Sequence, residues 1–299
     1  MTIAMAVSGS EGTPGKAGRA SVPGRLLASL LRDRWSAGAS AIIALFVLCA
    51  IFAPWLAPYA PTRSDIDLRL LPPFSPGHWL GVDTQGRDVL SRLIYGTRVS
   101  LVTGLVPVAV SAVIAVPLGL VAGYFDRLGV LVMRAMDILF AFPMVLLAIL
   151  LSAILGPGLV NMTIALVLVL LPFNTRIIYV ETLKQKGASY VEAAEALGTP
   201  GHRIMFRELF PHVAAAGLVY SFTIIGTMIV TAAGLSFLGL GVQPPEADWG
   251  LMTSEGRAVL YIAPHIATAP GIAIFLLVTA FNLMGDALRD ALDPKSLSR

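Results

Sequence analysis

The sequence predicts an all-α integral membrane protein with six transmembrane helices. Three observations carry this. The 299 residues are 56% hydrophobic and 13% charged, with a mean hydropathy of +0.80. A soluble domain instead holds about 45–50% apolar and about 25% charged residues. The apolar residues also collect in long uncharged runs, and a helix crossing a bilayer needs about 17–25 of them in succession. Finally, the runs are continuous rather than alternating, which argues against a closed β-barrel. High hydrophobicity with low charge excludes disorder of the whole chain. The net charge of +3 is too weak to suggest nucleic acid, and Cys49, the single cysteine, permits neither an internal disulfide nor a Cys-rich metal site.

In chain order, residues 1–24 are rich in Gly, Ser, Ala and Pro and read as a disordered tail. About 37 mostly polar residues precede the first apolar run, too many for the start of an ordinary secretory signal. The first span is Ala39–Leu56, with Pro54-Trp55 as an interfacial ending. Val99–Ala122 follows, with 24 uncharged residues. Ile138–Leu155 is the third, behind an amphipathic lead-in that contains Arg134 and Asp137. Leu159–Phe173 is the weakest, and lengthens to about Val180 if Arg176 snorkels to the interface. Val213–Leu240 and Ile262–Met284 complete the set. No repeat of fixed period is present.

Placing both termini inside leaves 15 of the 21 Lys and Arg residues on the cytoplasmic side and 6 outside. The positive-inside rule therefore favours cytoplasmic termini, with residues 57–97 and 242–261 outside and 181–212 inside. The middles of the spans hold no ionisable residue, because Arg134, Asp137 and Arg176 fall near predicted inner ends. An ion-coupled carrier keeps such residues at membrane depth, so a secondary carrier is disfavoured. Nor is there a phosphate-binding loop: Gly9-Ser-Glu-Gly-Thr-Pro-Gly15-Lys16-Ala17 has its first glycine one place early and lacks the hydroxyl that ligates magnesium. His78, His202, His212 and His265 form no H-E-x-x-H, and Gly234-Leu-Ser-Phe-Leu is not a nucleophile elbow. An intramembrane enzyme is disfavoured accordingly. His265, near the outer end of the last span, reads as a packing residue.

The most informative stretch is Lys184–Pro211. Ser189-Tyr-Val-Glu192 reads as a capping box that opens a short helix, and Gly198 supplies its left-handed stop. Tyr190, Val191, Ala194 and Leu197 share one face at helical spacing and are expected to be buried together. Thr199-Pro200 starts a second short helix, and Pro211 ends it before the fifth span. A plain structural loop and a docking knob for a partner's groove account for these residues equally well. A DNA-binding helix-turn-helix fits worse, because both helices are tethered at the bilayer.

Glu192-Ala193-Ala194, Gly198 and Pro211 closely resemble the EAA loop of ATP-binding-cassette (ABC) importer permeases, E-A-A-x3-G-x9-I-x-L-P. The tail of the motif departs, with Glu208 at the Ile position and Phe210 at the Leu position. Leu80–Arg98, Gly234–Pro245 with Trp249-Gly250, and Phe281–Pro294 resemble segments of the dipeptide/oligopeptide permease C subunits. That subfamily also takes up nickel chelates, glutathione, opines and some oligosaccharides. The likeness covers roughly residues 25–295.

The resemblance implies a type I ABC importer architecture in the bacterial inner membrane. It divides the chain into a cytoplasmic N-terminal tail (1–37), a first helix with periplasmic loop (38–96), a permease core (97–287) containing the coupling loop 184–211, and a cytoplasmic C-terminal tail (288–299). It implies a homologous B-type permease as the other half, two ATPase subunits inside and a periplasmic or lipid-anchored substrate-binding protein. The chain itself takes no cofactor, and ATP is used by the ATPase subunits. The loop would seat in the ATPase and drive alternating access.

Beside the resemblance, the outer-loop residues Arg87, Arg92 and Arg98 pair with Asp83 and Asp88, either against headgroups or as a contact for the binding protein. Gly119 and Gly123 have the small-xxx-small spacing of close helix packing. Gly239–Pro245 fits a gate loop or a simple turn, and Asp286 with Arg289 ends the last span. Ser111, Thr163, Ser221, Thr227 and Thr231 are candidate pore-lining residues, since hydroxyls at membrane depth face protein or water. Bonding to their own helix carbonyls is the ordinary alternative.

Overall fold

The computed structural model describes residues 34–292, of which 291 and 292 are described by backbone only. The tail and the C-terminal signature therefore lie partly outside the described residues. Besides a single 3-10 turn at Ile66–Leu68, ten longer helical segments are described: α1 Arg34–Ile51, α2 Ala53–Leu56, α3 Val89–Tyr124, α4 Asp126–Phe140, α5 Met144–Leu155, α6 Leu159–Lys186, α7 Ser189–Ala196, α8 Gly201–Phe237, α9 Trp249–Arg257 and α10 His265–Leu292. Among the described residues, α1, α3, α6, α8 and α10 are long and apolar enough to cross a membrane. Counting the bent pair α4–α5 as one span gives six.

Helix ends depart from the apolar runs for identifiable reasons. The first span breaks at Phe52, and Pro54 occupies the first turn of α2, where its missing N–H costs nothing. The third is not one straight helix: α4 and α5 meet at 86° across Ala141–Pro143. Pro143 has no N–H to donate, and it disfavours a helical Phe142. The fourth, expected to stop near Val180, continues to Lys186 with Pro172 inside it. Charged side chains end an apolar run, but they do not end a helix. The fifth begins twelve residues earlier than expected, and Pro211 does not separate it from the loop. A widened π-helical turn at Ile204–Leu209 precedes Pro211 and absorbs the missing hydrogen bond.

The centre of the fold is the pairing of α3 with α6. A Cβ on Gly119 would stand 2.6 Å from Ile178 Cβ and 2.9 Å from Thr175 O, and one on Gly123 would stand 2.5 Å from Thr182 Cβ. The absent side chains let the two backbones approach, as the spacing predicts. Around this pair the core is Leu, Ile, Val and Met from α3, α5, α6, α8 and α10.

The segments 57–97 and 242–261 meet at the N-terminal end of α3. Asp88 caps α3 by accepting from Ser91 N at 2.7 Å, and its other oxygen lies 2.8 Å from His78 Nδ1. Arg87 and Arg92 are 1% and 0% exposed. Arg87 donates to Asp83 and to Glu255 on α9, both at 2.6 Å. Arg92 donates to the Pro245 and Glu246 carbonyls at 3.2 and 3.3 Å. Trp249 Nε1 donates to Leu93 O at 2.9 Å. Asp248 caps α9 through Leu251 N. Burial pushes its carboxyl up, against the pull of the Leu251 and Gly250 N–H groups, the Ser236 hydroxyl and Arg92. Arg98 behaves differently from the expectation: it donates to the Ala50 and Ile51 carbonyls at the end of α1 rather than to an aspartate. The expected arginine–aspartate pairing is thus real for Arg87 and, at the longer distance of 3.5 Å from Nε to Asp83 Oδ2, for Arg92, but the site is a buried clamp rather than a headgroup-facing helix.

Two outcomes are expected. Gly119→Leu drives a side chain into Ile178 and destabilises the fold by about 1–3 kcal/mol, read as a lower Tm in detergent. Arg87→Ala leaves buried Asp83 and partly buried Glu255 beside an empty guanidinium site and costs about 3–5 kcal/mol. Protease sensitivity of segment 57–97 together with Tm measures it; an unchanged profile would mean that the clamp does not hold the segment.

Candidate functional site

The loop between α6 and α8 sits at the C-terminal end of α3, opposite the arginine clamp. Lys184 and Lys186 occupy the last turn of α6, where they favour the negative end of its dipole. Lys186 Nζ donates to Tyr124 O at 2.9 Å and tethers that end to α3. Gly187 and Ala188 turn the chain, and α7 follows.

The capping box does not form. Ala188, in extended conformation, is the N-cap, and no side chain caps the helix. The helix starts one residue earlier than the motif requires, so Ser189 is already its first residue. Glu192 accordingly lies one position beyond where it could reach back. It still stands in the first turn, where a carboxylate suits the dipole.

The stop at Gly198 is built as expected. Its φ is +74°. Thr199 N donates to Ala194 O at 3.0 Å and Gly198 N to Glu195 O at 2.9 Å, the two bonds of a Schellman motif. Nothing lies within 4 Å of a Cβ built on Gly198, so glycine is required there by backbone conformation rather than by space.

The buried face of α7 is narrower than predicted. Val191 is fully buried, and Ala194 packs against the same cluster of Leu120, Ile178, Ile204, Leu209 and Val213. Tyr190 is exposed and donates its hydroxyl to Gln185 at 2.9 Å. Leu197 is 85% exposed. It is the C-cap residue, beyond the last full turn, and its direction departs from the helical stripe. Glu192, Ala193, Glu195, Ala196 and Leu197 therefore form a small outward surface, apolar in the middle and acidic at the edge. Pro200 is the N-cap of α8, in place of Thr199. Gly201 packs against Tyr124, where a Cβ would meet the phenol oxygen at 2.6 Å. Pro211 is exposed on α8.

The five hydroxyl candidates do not converge on one site. Ser111 is fully buried and accepts from Asn174 Nδ2 at 2.9 Å. Thr163, Ser221 and Thr231 donate to the carbonyls of Leu159, Gly217 and Thr227, four residues back on their own helices. Thr227 is exposed. Asn174 and Ser221 line a small cavity between α3, α6 and α8, together with Gly217 and Tyr220.

Sequence reasoning missed Glu255 and Asp248 as the acidic groups facing the arginines and Trp249 as a donor to Leu93 O in the same clamp, and it missed the pairing of Arg176 Nη2 with Asp137 Oδ1 at 2.6 Å. The clamp partners lie more than 150 residues away from the arginines, so no local spacing could show them. Asp248 ahead of an apolar turn was a visible N-cap signal. Among the described residues no group of three His, Cys, Asp or Glu side chains could hold a metal ion.

Comparison with known proteins gives the context of this loop. Residues 115–297 match the family described as "Binding-protein-dependent transport system inner membrane component", and residues 25–73 match "N-terminal TM domain of oligopeptide transport permease C". The chain is 45% identical over 270 residues to a "Glutathione transport system permease protein GsiD" of Pectobacterium atrosepticum, covering 89% of this chain and 88% of that one. It is 45% identical over 269 residues to the proteins of the same name in Escherichia coli and Shigella boydii, covering 88% of each chain. A bundle of membrane-length helices with an Ala-rich, Gly-stopped loop at one end, matched along most of its length, belongs to the binding-protein-dependent transport inner membrane family: the chain is a multi-pass ABC permease component of the inner membrane, not an enzyme, and its work presupposes a partner ATPase and a substrate-binding protein.

Proposed function

We propose that this chain is the C-type half of the translocation path of an ATP-driven importer for short peptides or glutathione-like solutes. A homologous B-type permease forms the other half, two ATPase subunits dock at the 184–211 end, and a binding protein delivers solute at the 57–97 end. Both termini and the loop then face the cytoplasm, in agreement with the Lys and Arg distribution. The substrate class rests on the relatives, which are named as glutathione transport permeases. ATP is bound and hydrolysed by the ATPase subunits, and this chain takes no cofactor.

The observation that carries the reading is the way α7 is mounted. Val191 and Ala194 fix it on the α3–α6–α8 core, while Glu192, Ala193 and Leu197 stay exposed at the end of the bundle. Glu192, Ala193, Ala194, Gly198 and Pro211 are the coupling residues, with Pro211 inside α8 just after its π-helical turn. A short rigid helix with small side chains suits a cleft in a partner. Behind it, α8 is one continuous helix from Gly201 to Phe237, about 55 Å long. A displacement of α7 therefore moves the other end of the bundle as a lever rather than dissipating in a flexible loop. The hydroxyl candidates Ser111, Thr163, Ser221, Thr227 and Thr231 remain proposals for path contacts. Exposed Thr227 is the best placed of them in this conformation, and fully buried Ser111 the worst.

Gly198→Val forces a β-branched side chain into a left-handed backbone at a cost of about 1–2 kcal/mol or more, which predicts about a tenfold loss of ATPase capture. Glu192→Ala should weaken capture less. Pull-down of the ATPase and solute uptake in both variants measure this; normal coupling in both would remove the loop from the mechanism. Topology is checked on a Cys49→Ser background. An impermeant thiol reagent should label a cysteine placed at Trp79 in intact cells and leave one placed at Ser189 unlabelled. The reverse pattern would invert the chain and with it the docking side.

A further inference from the structure

The third membrane segment is broken at a depth where broken backbone needs an explanation. α4 runs antiparallel along the second half of α6. Asp126 lies 3.4 Å from Lys186 at one end, and the Phe140 and Phe173 rings lie 4.5 Å apart at the other. Phe173 is about 20 Å of helix from Lys186 and about 21 Å from Leu159. The elbow at Ala141–Pro143 thus stands near the middle of α6, and all three of its residues are exposed. In hydrocarbon, exposed non-helical backbone does not occur; it is found only against protein or along water.

An ion pair stands at the same place. Arg176 Nη2 and Asp137 Oδ1 are 2.6 Å apart, with side chains 43% and 44% exposed. The Arg176 guanidinium lies over the Phe140 ring at 4.4 Å. Arg176 is about 15 Å of helix from Lys186 and about 6 Å from Val180, the inner end expected of this span. Half-exposed charges at membrane depth face a bundle interior or a water-filled cavity. The pair is also not saturated within the chain. Its one hydrogen bond uses a single guanidinium N–H and a single carboxylate oxygen, and a guanidinium carries five N–H donors.

We propose that Asp137 and Arg176 form a charged step on the wall of the translocation path, which holds a zwitterionic solute such as a short peptide by its two ends. The solute carboxylate takes the free Arg176 N–H groups, and its ammonium takes the free Asp137 oxygen. This rests on the importer reading above.

The test uses the assembled importer, with its ATPases and binding protein, in proteoliposomes. First, a cysteine at Phe142 on the Cys49→Ser background is exposed to an impermeant methanethiosulfonate. Labelling that slows during peptide turnover is expected. No labelling with or without ATP would place the elbow against the other permease and overturn the proposal. Second, uptake of a free-acid dipeptide is compared with its C-terminally amidated form. The binding protein is the same throughout, so its own preference cancels between variants. Arg176→Gln should reduce the free-acid-to-amide ratio about tenfold relative to the unsubstituted importer, and Arg176→Lys should largely keep it. An unchanged ratio in Arg176→Gln overturns the proposal. Third, the exchange Asp137→Arg with Arg176→Asp rebuilds the ion pair with its charges reversed. Full recovery of the original ratio would mark a structural clamp between α4 and α6 and overturn the step. If the unsubstituted importer takes up neither dipeptide, the solute assignment fails instead, and the labelling arm still decides whether the elbow faces water.

Discussion

The approach of α3 to α6 at Gly119 and Gly123 is the contact on which the other features depend. Between helices in a membrane, apolar burial supplies no driving force, because lipid tails are as apolar as leucine. What remains is close packing, and two missing side chains permit it. Ile178 and Thr182 fill the space that Cβ atoms at Gly119 and Gly123 would take. The loop end follows from this, because Ile178 and Leu120 form the seat on which Val191 rests. The other end follows too, since α3 carries both arginines of the clamp in or just before its first turn.

The two ends use different chemistry. At the 57–97 end, buried charge holds segments far apart in sequence: Arg87 ties the turn at Asp83 to Glu255 on α9. Such pairs contribute little net stability against apolar replacements, but they are costly to half-remove, so they enforce one arrangement. At the 184–211 end, apolar packing and a backbone stop hold a short helix whose outer surface is left free. A fixed seat with an unpartnered outer face suits a surface that must transmit movement to another subunit.

The third segment belongs to neither pattern. Pro143 and Pro172 both remove helical hydrogen bonds near the middle of the bundle, and the Asp137–Arg176 pair stands beside them. In a membrane such features are retained where water or a partner satisfies them. That is the physical ground for associating this face, rather than the sealed α3–α6 interface, with passage of solute.

By itself the sequence determined the class, the number of spans and the place of the loop, because all three are written locally. Uncharged runs of bilayer length, Gly198 three residues beyond Glu195, and glycines four apart at 119 and 123 each carry their meaning within a few positions. It misplaced helix ends where charge and helicity part company: α6 runs on to Lys186, and α8 runs back through Pro211 to Gly201. It also assigned Ser189 a capping role that the backbone gives to Ala188, because a one-residue change of start leaves the motif intact and the geometry wrong. Only the tertiary structure decided what meets across distance. Glu255 joins Arg87 and Arg92, Leu197 turns outward while Val191 turns in, and Arg176 reaches Asp137 at a broken helix. These are set by how helices cross and where the chain folds back, and no local pattern of residues encodes that.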